Sequence, residues 1–550
     1  MAKLLDSEVA ESWEDAYDDD LDETLNEVLE KFNVCESSDK TLVRREVLKN
    51  FEMKIDAWIL KVSQIRRREP SGTMKTFGSF GMGVNSPGGD MDVVAIVPAH
   101  IMKADFFRLF VAMLKKDDNV ECLEAVEDAF VPIIKLKYFG FDLDVLFART
   151  TFDIVPDNIN KIHDEELEDM DEESVRSLNG YRLAVQILEL VGNKESFRTA
   201  LRTVKLWAKK KGINSCALGF FGGVTLAILM ARTCQSNPEA TPSQLVFEFF
   251  AMFSSWDWQN PVHLRGTDYW FCYRYPSDIA NGMTILTPTN PVSNTTYNVS
   301  KFTKNILVQE LKEGFRVCKM IDRQECCWDK LFEEAKFFKK YSRYICLMLA
   351  AETKNDELRY AGFLEAKIRH LSKILEKNPS ISASQVNPKK FTPLSTARFD
   401  MEMKYPVCIL WFIGVEFRNA VEKNQLEYEF KGFKSLLHQH GGTSKGTKGV
   451  VVLLQLMNQE ELSQFISFED LGEKRPYKKK TEVVERLSIE NTSTASSTST
   501  SSSELASETN SLERTYANIV SNSSSATRNQ TEPETKTWAD IVSSPTSDKR

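Results

Sequence analysis

Cysteine-based scaffolding is the first thing this sequence lacks. Ten cysteines stand at 35, 122, 216, 234, 272, 318, 326, 327, 346 and 408, yet no two form a CxxC pair and the six histidines supply no matching spacing. That disfavours a structural zinc site, and the thiols read as reduced residues of an intracellular core. A secretory signal is missing too. Residues 1–30 carry twelve acids and one lysine, which leaves no basic n-region and no apolar h-region. Nor does any run read as a membrane span. Ile213–Ala231 is uncharged for 19 residues, long enough to cross a bilayer. Asn214, Ser215, Gly219, Gly222, Gly223 and Thr225 make it a loop turning into a buried helix instead. The net charge of −9 is concentrated in the first thirty residues, whose −11 leaves +2 for the rest, so the acidic average does not exclude a nucleic-acid partner. What remains, 550 residues with 42% hydrophobic and 27% charged, fits a folded chain of about three to four domains.

Hydrophobic periodicity divides the chain. Leu25, Val28, Leu29 and Phe32, then Ile55, Trp58, Ile59 and Val62, recur at helical spacing across residues 22–67, a helical lead-in. From Met74 the texture becomes Gly-rich turns around the apolar run Val93–Val97, a helix near Phe106–Lys115, and strand-like Val131–Lys137 and Phe141–Phe147. This is a mixed α/β domain ending near Thr150. The acidic run Asp164–Glu173 reads as a solvated linker or helix face. Residues 174–265 carry helical patterns. From Tyr341 strands and helices alternate again: Tyr344–Leu349, a helix Glu357–Glu376, Val407–Phe417, a helix Glu427–Leu437 and Val450–Leu454. That order suits a βαββαβ sheet of the kind that often binds RNA, with Trp411 and Phe412 as fragments of a stacking motif. Gly441–Lys448 lacks the Gly-Lys-Ser/Thr order of a P-loop and reads as a hairpin turn. Beyond residue 470 come a basic cluster, Lys474, Arg475, Lys478, Lys479 and Lys480, and a tract in which 11 of the 13 residues 491–503 are Ser or Thr. The tail is expected to be disordered. It holds two copies of aromatic-Ala-[Asn/Asp]-Ile-Val, at 515–521 and 537–543, in the manner of a partner-binding linear motif.

The chemistry concentrates in Phe77-Gly78-Ser79-Phe80-Gly81 followed by Gly88-Gly89-Asp90-Met91-Asp92. Asp90 and Asp92 are two apart on a strand, so both carboxylates project from one face. Adjacent carboxylates repel unless a cation lies between them. A Gly-Ser turn a dozen residues upstream can hold phosphates on backbone N–H groups and a hydroxyl. That combination fits nucleotidyl transfer. A two-metal site needs a third acid, and Phe141-Asp142-Leu143-Asp144 offers two candidates on one face that pattern alone does not separate.

These blocks, together with Val131–Lys135, Arg176–Gly180, Lys205–Lys209, Gly219–Val224, Thr287-Pro288 and Asn294–Ser300, resemble the eukaryotic nuclear poly(A) polymerases, within the polymerase-beta-like nucleotidyltransferase superfamily. The likeness runs from about residue 20 to 470. It implies an α+β multidomain fold: an acidic arm (1–20), a helical lead-in packing with the central domain (21–50), a nucleotidyltransferase catalytic domain with a mixed sheet (51–152), a helical central domain (153–340), an RRM-like RNA-binding domain (341–470) and a basic, Ser/Thr-rich tail (471–550). It also implies that Asp144 is the third metal ligand, with Asp90 and Asp92 bridging two Mg²⁺ or Mn²⁺ ions. ATP would then meet Phe77, Gly78 and Ser79, Asn179 near the sugar, Lys205 at the triphosphate, Gly223 and Val224 at the adenine face and Thr287 at its edge. The expected activity is template-independent addition of AMP to RNA 3′ ends during mRNA 3′-end processing, by a nuclear monomer with no membrane association. Pre-mRNA 3′-end processing factors are expected partners, through the tail repeat.

Two positions depart from that family's pattern. Asn214 stands where a tyrosine usually touches phosphate, and Cys216 where an asparagine is usual. Lower nucleotide affinity or looser base selection is the expected consequence, which keeps two rivals in view: a terminal nucleotidyltransferase of other base preference, and a weakly active or inactive paralogue that binds RNA or processing factors. The family's RNA path makes Lys389 and Lys390, with Lys339 and Lys340, the candidate phosphate contacts. Lys474–Lys480 resembles a nuclear localisation signal.

Overall fold

A computed structural model describes residues 20–156, 159, 164–266, 282–394, 405–419, 426–440 and 449–472. The acidic arm up to residue 19, the 441–448 turn, the basic cluster, the Ser/Thr tract and the tail repeat lie outside the described residues.

Alternation along each strand splits the first sheet between two layers. Thr73–Phe77 (β1), Met91–Val97 (β2), Val120–Val126 (β3), Ile133–Tyr138 (β4) and Phe141–Arg149 (β5) lie in the order β1-β2-β5-β4-β3. β2 and β5 run parallel and the other neighbours antiparallel. Val93, Ala95, Val97, Leu143 and Val145 face a core built with Phe51, Ile55 and Trp58 of the helix Ser38–Arg66 and with Phe106 and Phe110. Val94, Ile96, Leu146 and Ala148 turn the other way, onto Leu178 and Tyr181 of the helix Glu172–Leu190. The central parallel pair is therefore apolar on both faces, as a doubly covered sheet requires.

The N-terminal helices divide between two cores. A helix over residues 20–31 places Leu25, Val28 and Leu29 among the central helices, where the Asp22 carboxylate accepts from the Ser243 backbone N–H at 2.7 Å. The next helix, Ser38–Arg66, is unbroken and buries Val47, Leu48, Phe51 and Ile55 against the sheet. The boundary expected at residue 50 falls inside it. The lead-in packs with the central helices only in its first part, because the apolar stripe from Val43 to Val62 keeps one register and one partner.

Central helices Lys194–Lys210, Gly223–Ser236, Pro242–Ser255 and Lys301–Asp322 close around Trp207, Phe249 and Phe250, with Trp207 edge-on to Phe250 at 4.9 Å. Gly314 admits the Phe250 ring: a Cβ there would lie 2.3 Å from it. Ile213–Ala231 is a short turn leading into a buried helix. The acidic run is more specific than a solvated linker. Asp164 pairs with buried Arg182, Asp171 caps its helix by accepting from the Ser174 N–H at 2.9 Å, and Glu173 pairs with Lys103 at 2.8 Å.

The third region is βαββαβ: Arg343–Ala351 (β6), the helix Lys354–Lys377, Ile381–Val386 (β7), Val407–Phe417 (β8), the helix Glu427–His440 and Val450–Asn458 (β9), in sheet order β7-β8-β6-β9. All three pairings are antiparallel. The helices cover one face through Leu364, Ile368, Leu371 and Phe433. The opposite face, the one that stacks bases in an RNA-recognition fold, is covered by the chain itself. Phe337, Phe338, Tyr341, Phe391, Leu462, Phe465 and Ile466 lie over Tyr344, Leu410 and Phe412. Phe412 is fully buried, and Trp411 points to the helical face, donating to Glu365 at 3.3 Å. Neither residue is open to a base.

Candidate active site

Parallel pairing of β2 with β5 puts Asp92 directly opposite Asp144, one residue from the sheet's end. Even-numbered alternation turns both toward the Val94 and Leu146 face. With Asp90 just before the strand, the three acids can each offer an oxygen, all within 4.8 Å of one another. Burial, reinforced by the charges of Asp90 and Asp144, pushes the Asp92 carboxyl up to about 7. Among the described residues neither Asp90 nor Asp92 has an ion-pair partner. Asp144 has one, Lys135 across the β4–β5 pairing at 2.8 Å. Asp142 is turned out beside Lys137, 3.8 Å away and well exposed, so the structure separates the two candidates that sequence pattern left equal. Three crowded carboxylates with one partly compensating lysine fit a divalent cation site.

Above this cluster lies the Gly-Ser turn. Gly78 has φ +61°, and a Cβ there would come 2.0 Å from the Asp92 Oδ2. Only glycine lets the turn approach the carboxylate so closely. Phe77 opposes Asp92 across β1–β2, and its ring fills the space a Cβ on Gly180 would occupy, at 2.8 Å. Ser79 begins the tight turn that closes with the Val84 N–H bonding to its carbonyl at 2.8 Å.

Lys205 projects from the central helix Lys194–Lys210 and donates to the Val84 carbonyl at 3.0 Å. Burial and the neighbouring Arg202 lower its pKa, while the Asp90 charge raises it. The ammonium therefore stands within electrostatic reach of the carboxylates. Asn179 accepts from Arg182 at 3.1 Å, and the same guanidinium donates to the Asn290 carbonyl at 2.6 Å and pairs with Asp164. Arg182, 5% exposed, ties Asn179 to the loop that carries Thr287. Its place three residues after Asn179 on one helix is the sequence signal that marks it.

The adenine-side candidates differ among themselves. Val224 is an exposed apolar residue, 37% accessible, at the start of its helix beside exposed Gly223. Thr287 is 8% accessible, its hydroxyl accepting from the Ser293 N–H at 2.9 Å inside a turn. Asn214 is exposed. The Cys216 thiol is directed to the Thr295 carbonyl at 3.7 Å, and burial raises its pKa. Among the lysines suggested for RNA, Lys390 pairs with Glu365 at 2.8 Å, Lys389 with Glu334 at 3.8 Å and Lys340 with Glu310 at 3.7 Å.

Three family models match in succession: the poly(A) polymerase nucleotidyltransferase domain over residues 13–191, the poly(A) polymerase central domain over 196–334, and the poly(A) polymerase predicted RNA binding domain over 336–404. The chain is similar to a poly(A) polymerase of Dictyostelium discoideum, 33% identical over 82% of this chain and 58% of that protein. It is also similar to nuclear poly(A) polymerase 4 of Arabidopsis thaliana, 36% identical over 64% of this chain and 50% of that one. The chain thus spans about half the length of the curated relatives it matches. A solved structure of the Cid1 poly(U) polymerase with Mg and 3′-dATP bound is 17% identical, covering 57% of this chain and 99% of that one, with a TM-score of 0.42. Among the described residues no helix is long and apolar enough to cross a membrane.

Proposed function

The chain belongs to the poly(A) polymerase family, and from that premise we propose that it is a polynucleotide adenylyltransferase, adding AMP from ATP to RNA 3′ ends without a template. The observation that carries this reading is the convergence of Asp90, Asp92 and Asp144 within 4.8 Å at the end of a parallel strand pair. Asp90, Asp92 and Asp144 would hold divalent metal, Mg²⁺ or Mn²⁺, which when bound lowers the pKa of an attacking 3′-hydroxyl and neutralises the departing pyrophosphate. The other residues bind and orient. Lys205, a cation already fixed at one donor by Val84, meets the triphosphate. Phe77, Gly78 and Ser79 form the turn under the nucleotide, Asn179 is held by Arg182 toward the sugar, and Val224 with Gly223 offers an apolar surface to the base. Thr287 orders the facing turn through Ser293. In-line transfer needs little beyond such positioning and charge compensation.

The RNA 3′ end is the acceptor. Its phosphates would meet Lys389 and Lys390 rather than the covered aromatic face of the third sheet. Work in pre-mRNA 3′-end processing, a nuclear location, and contacts with processing factors through residues 515–521 and 537–543 complete the proposal. Primer extension on oligo(A) RNA with each of the four NTPs, in Mg²⁺ and in Mn²⁺, tests it beside an Asp92→Ala control. An ATP-only ladder that the control lacks is expected. A ladder with UTP or CTP would replace adenylyl transfer with another base preference, traced to Asn214 and Cys216. No extension by a folded, RNA-binding chain would sink the catalytic reading.

A further inference from the structure

The segment joining the Gly-Ser turn to Asp90 is gripped from two sides. Three basic residues at i, i+4 and i+7 on the helix Lys194–Lys210 donate to three successive carbonyls: Arg198 to Met82 at 3.0 Å, Arg202 to Gly83 at 2.5 Å and Lys205 to Val84 at 3.0 Å. Gly83 makes the approach possible, since it has φ +73° and a Cβ there would lie 2.8 Å from the Arg198 Nε. At the other end, Arg44 Nη1 donates to the Gly89 carbonyl at 2.8 Å. Its Nε lies 2.7 Å from Glu36, whose carboxylate also accepts from the Asn85 side chain at 3.0 Å. Both charged side chains are nearly inaccessible, at 2% and 3%. Arg44 further lies over the Phe141 ring, 5.0 Å from its centre. One guanidinium thus touches the residue before Asp90 and the strand that carries Asp144.

A buried ion pair is a poor source of net stability, because desolvation cancels much of the attraction. Its persistence here calls for another role, and the contacts supply one. We propose that Arg44 is a positioning residue for Asp90, fixing the turn that presents this carboxylate through the Gly89 carbonyl, with Glu36 holding the guanidinium in place. The inference rests on the metal-site reading of Asp90, Asp92 and Asp144, and it adds a residue that none of the family blocks in the sequence contains. Arg44 does not touch substrate. It acts as outer-sphere partners of metal ligands do, by restricting where the ligand oxygen can go.

The test uses the full chain. Arg44→Met alone leaves Glu36 buried and unpaired, so the informative variant is Glu36→Gln/Arg44→Met, which removes both charges, keeps an amide oxygen for Asn85 and loses the Gly89 bond. Arg316→Ala, which breaks the exposed pair with Glu313, serves as control. Mn²⁺ binding is read from the electron-paramagnetic-resonance signal of the free ion, beside kcat and KM for ATP and the thermal midpoint. The double variant is expected to fold, to bind Mn²⁺ about 10-fold more weakly and to lose kcat by a similar factor with KM little changed. Mn²⁺ affinity equal to wild type in a folded double variant overturns the proposal, and so does a wild-type chain that binds no Mn²⁺. A wild-type chain that binds Mn²⁺ but extends no RNA would sink the adenylyltransferase reading alone, since the Mn²⁺ comparison still decides the role of Arg44.

Discussion

The two sheets of this molecule are built alike and used differently. Each has apolar residues alternating along its strands and both faces covered, the first by helices on either side and the other by helices on one side and the chain's own aromatics on the other. The first sheet ends in three crowded acids with a single lysine paired to one of them, whereas the third region's sheet presents aromatics that packing satisfies completely. An aromatic on a strand is ambiguous, because burial and base stacking both favour it. A cluster of carboxylates at strand ends is not, because like charges in a half-buried site raise the free energy unless something positive joins them.

The comparison breaks most sharply at the acids. Asp92→Ala should lower nucleotidyl transfer by about 10²–10³-fold or more, and Asp144→Asn comparably, while Asp142→Asn should keep nearly full activity. Equal losses at Asp142 and Asp144 in single-turnover assays would erase the distinction drawn from the pairing of Asp144 with Asp92. On the other sheet, Phe412→Ala should destabilise the fold by about 3–5 kcal/mol, read by denaturant unfolding. RNA affinity should stay unchanged where the protein remains folded. Weaker RNA binding without destabilisation would mean that the covered face opens.

A subtler contrast concerns pH. Because the Asp92 carboxyl is pushed up to about 7 in the folded chain, against about 4 when unfolded, the folded state holds the extra proton between those values. Metal-free protein should therefore lose stability as pH rises from about 4 to about 7 and level off above. Asp92→Asn should flatten that slope in thermal scans, and a slope left intact would assign it elsewhere. The smallest effect belongs to the lysines. Lys389→Ala or Lys390→Ala should reduce the salt dependence of RNA binding by about 0.7 in the log–log slope each, measured by fluorescence titration. No change would show that Glu334 and Glu365 keep them occupied.

Much of this was legible in the residues. Asp90 and Asp92 with the Gly-Ser turn marked the acidic cluster, because φ-permissive glycines beside paired acids have few packing explanations. β7 was missed because Ile-Ser-Ala-Ser-Gln-Val is half polar, although its last three residues are buried. The edge strands β1 and β3 were missed for a related reason: with one side open, their polar residues blur the alternation. Asp144 could not be chosen over Asp142, since a period of two treats them alike and only the pairing that sets Asp144 opposite Asp92 tells them apart. Arg44 was invisible, because 45 residues separate it from Gly89 and nothing distinguishes it in the sequence from Arg45 beside it. The acidic run is largely exposed and ends on a helix, as its charge density suggested, but the fixed partners of Asp164, Asp171 and Glu173 were not legible in it.

The covering of the third sheet has one more consequence, for where this fold ends. A chain stopped after Asn458 would possess all four strands with every ladder bond intact, yet it would lack Leu462, Phe465, Ile466 and Leu471. Phe337, Phe338, Tyr341 and Phe391 would still shield Tyr344, Leu410 and Phe412, but the cover would be partial, and the apolar surface left open would be prone to meet its copy in another molecule. The ladder is complete at Asn458, about a dozen residues before the apolar cover, which among the described residues runs on to Leu471.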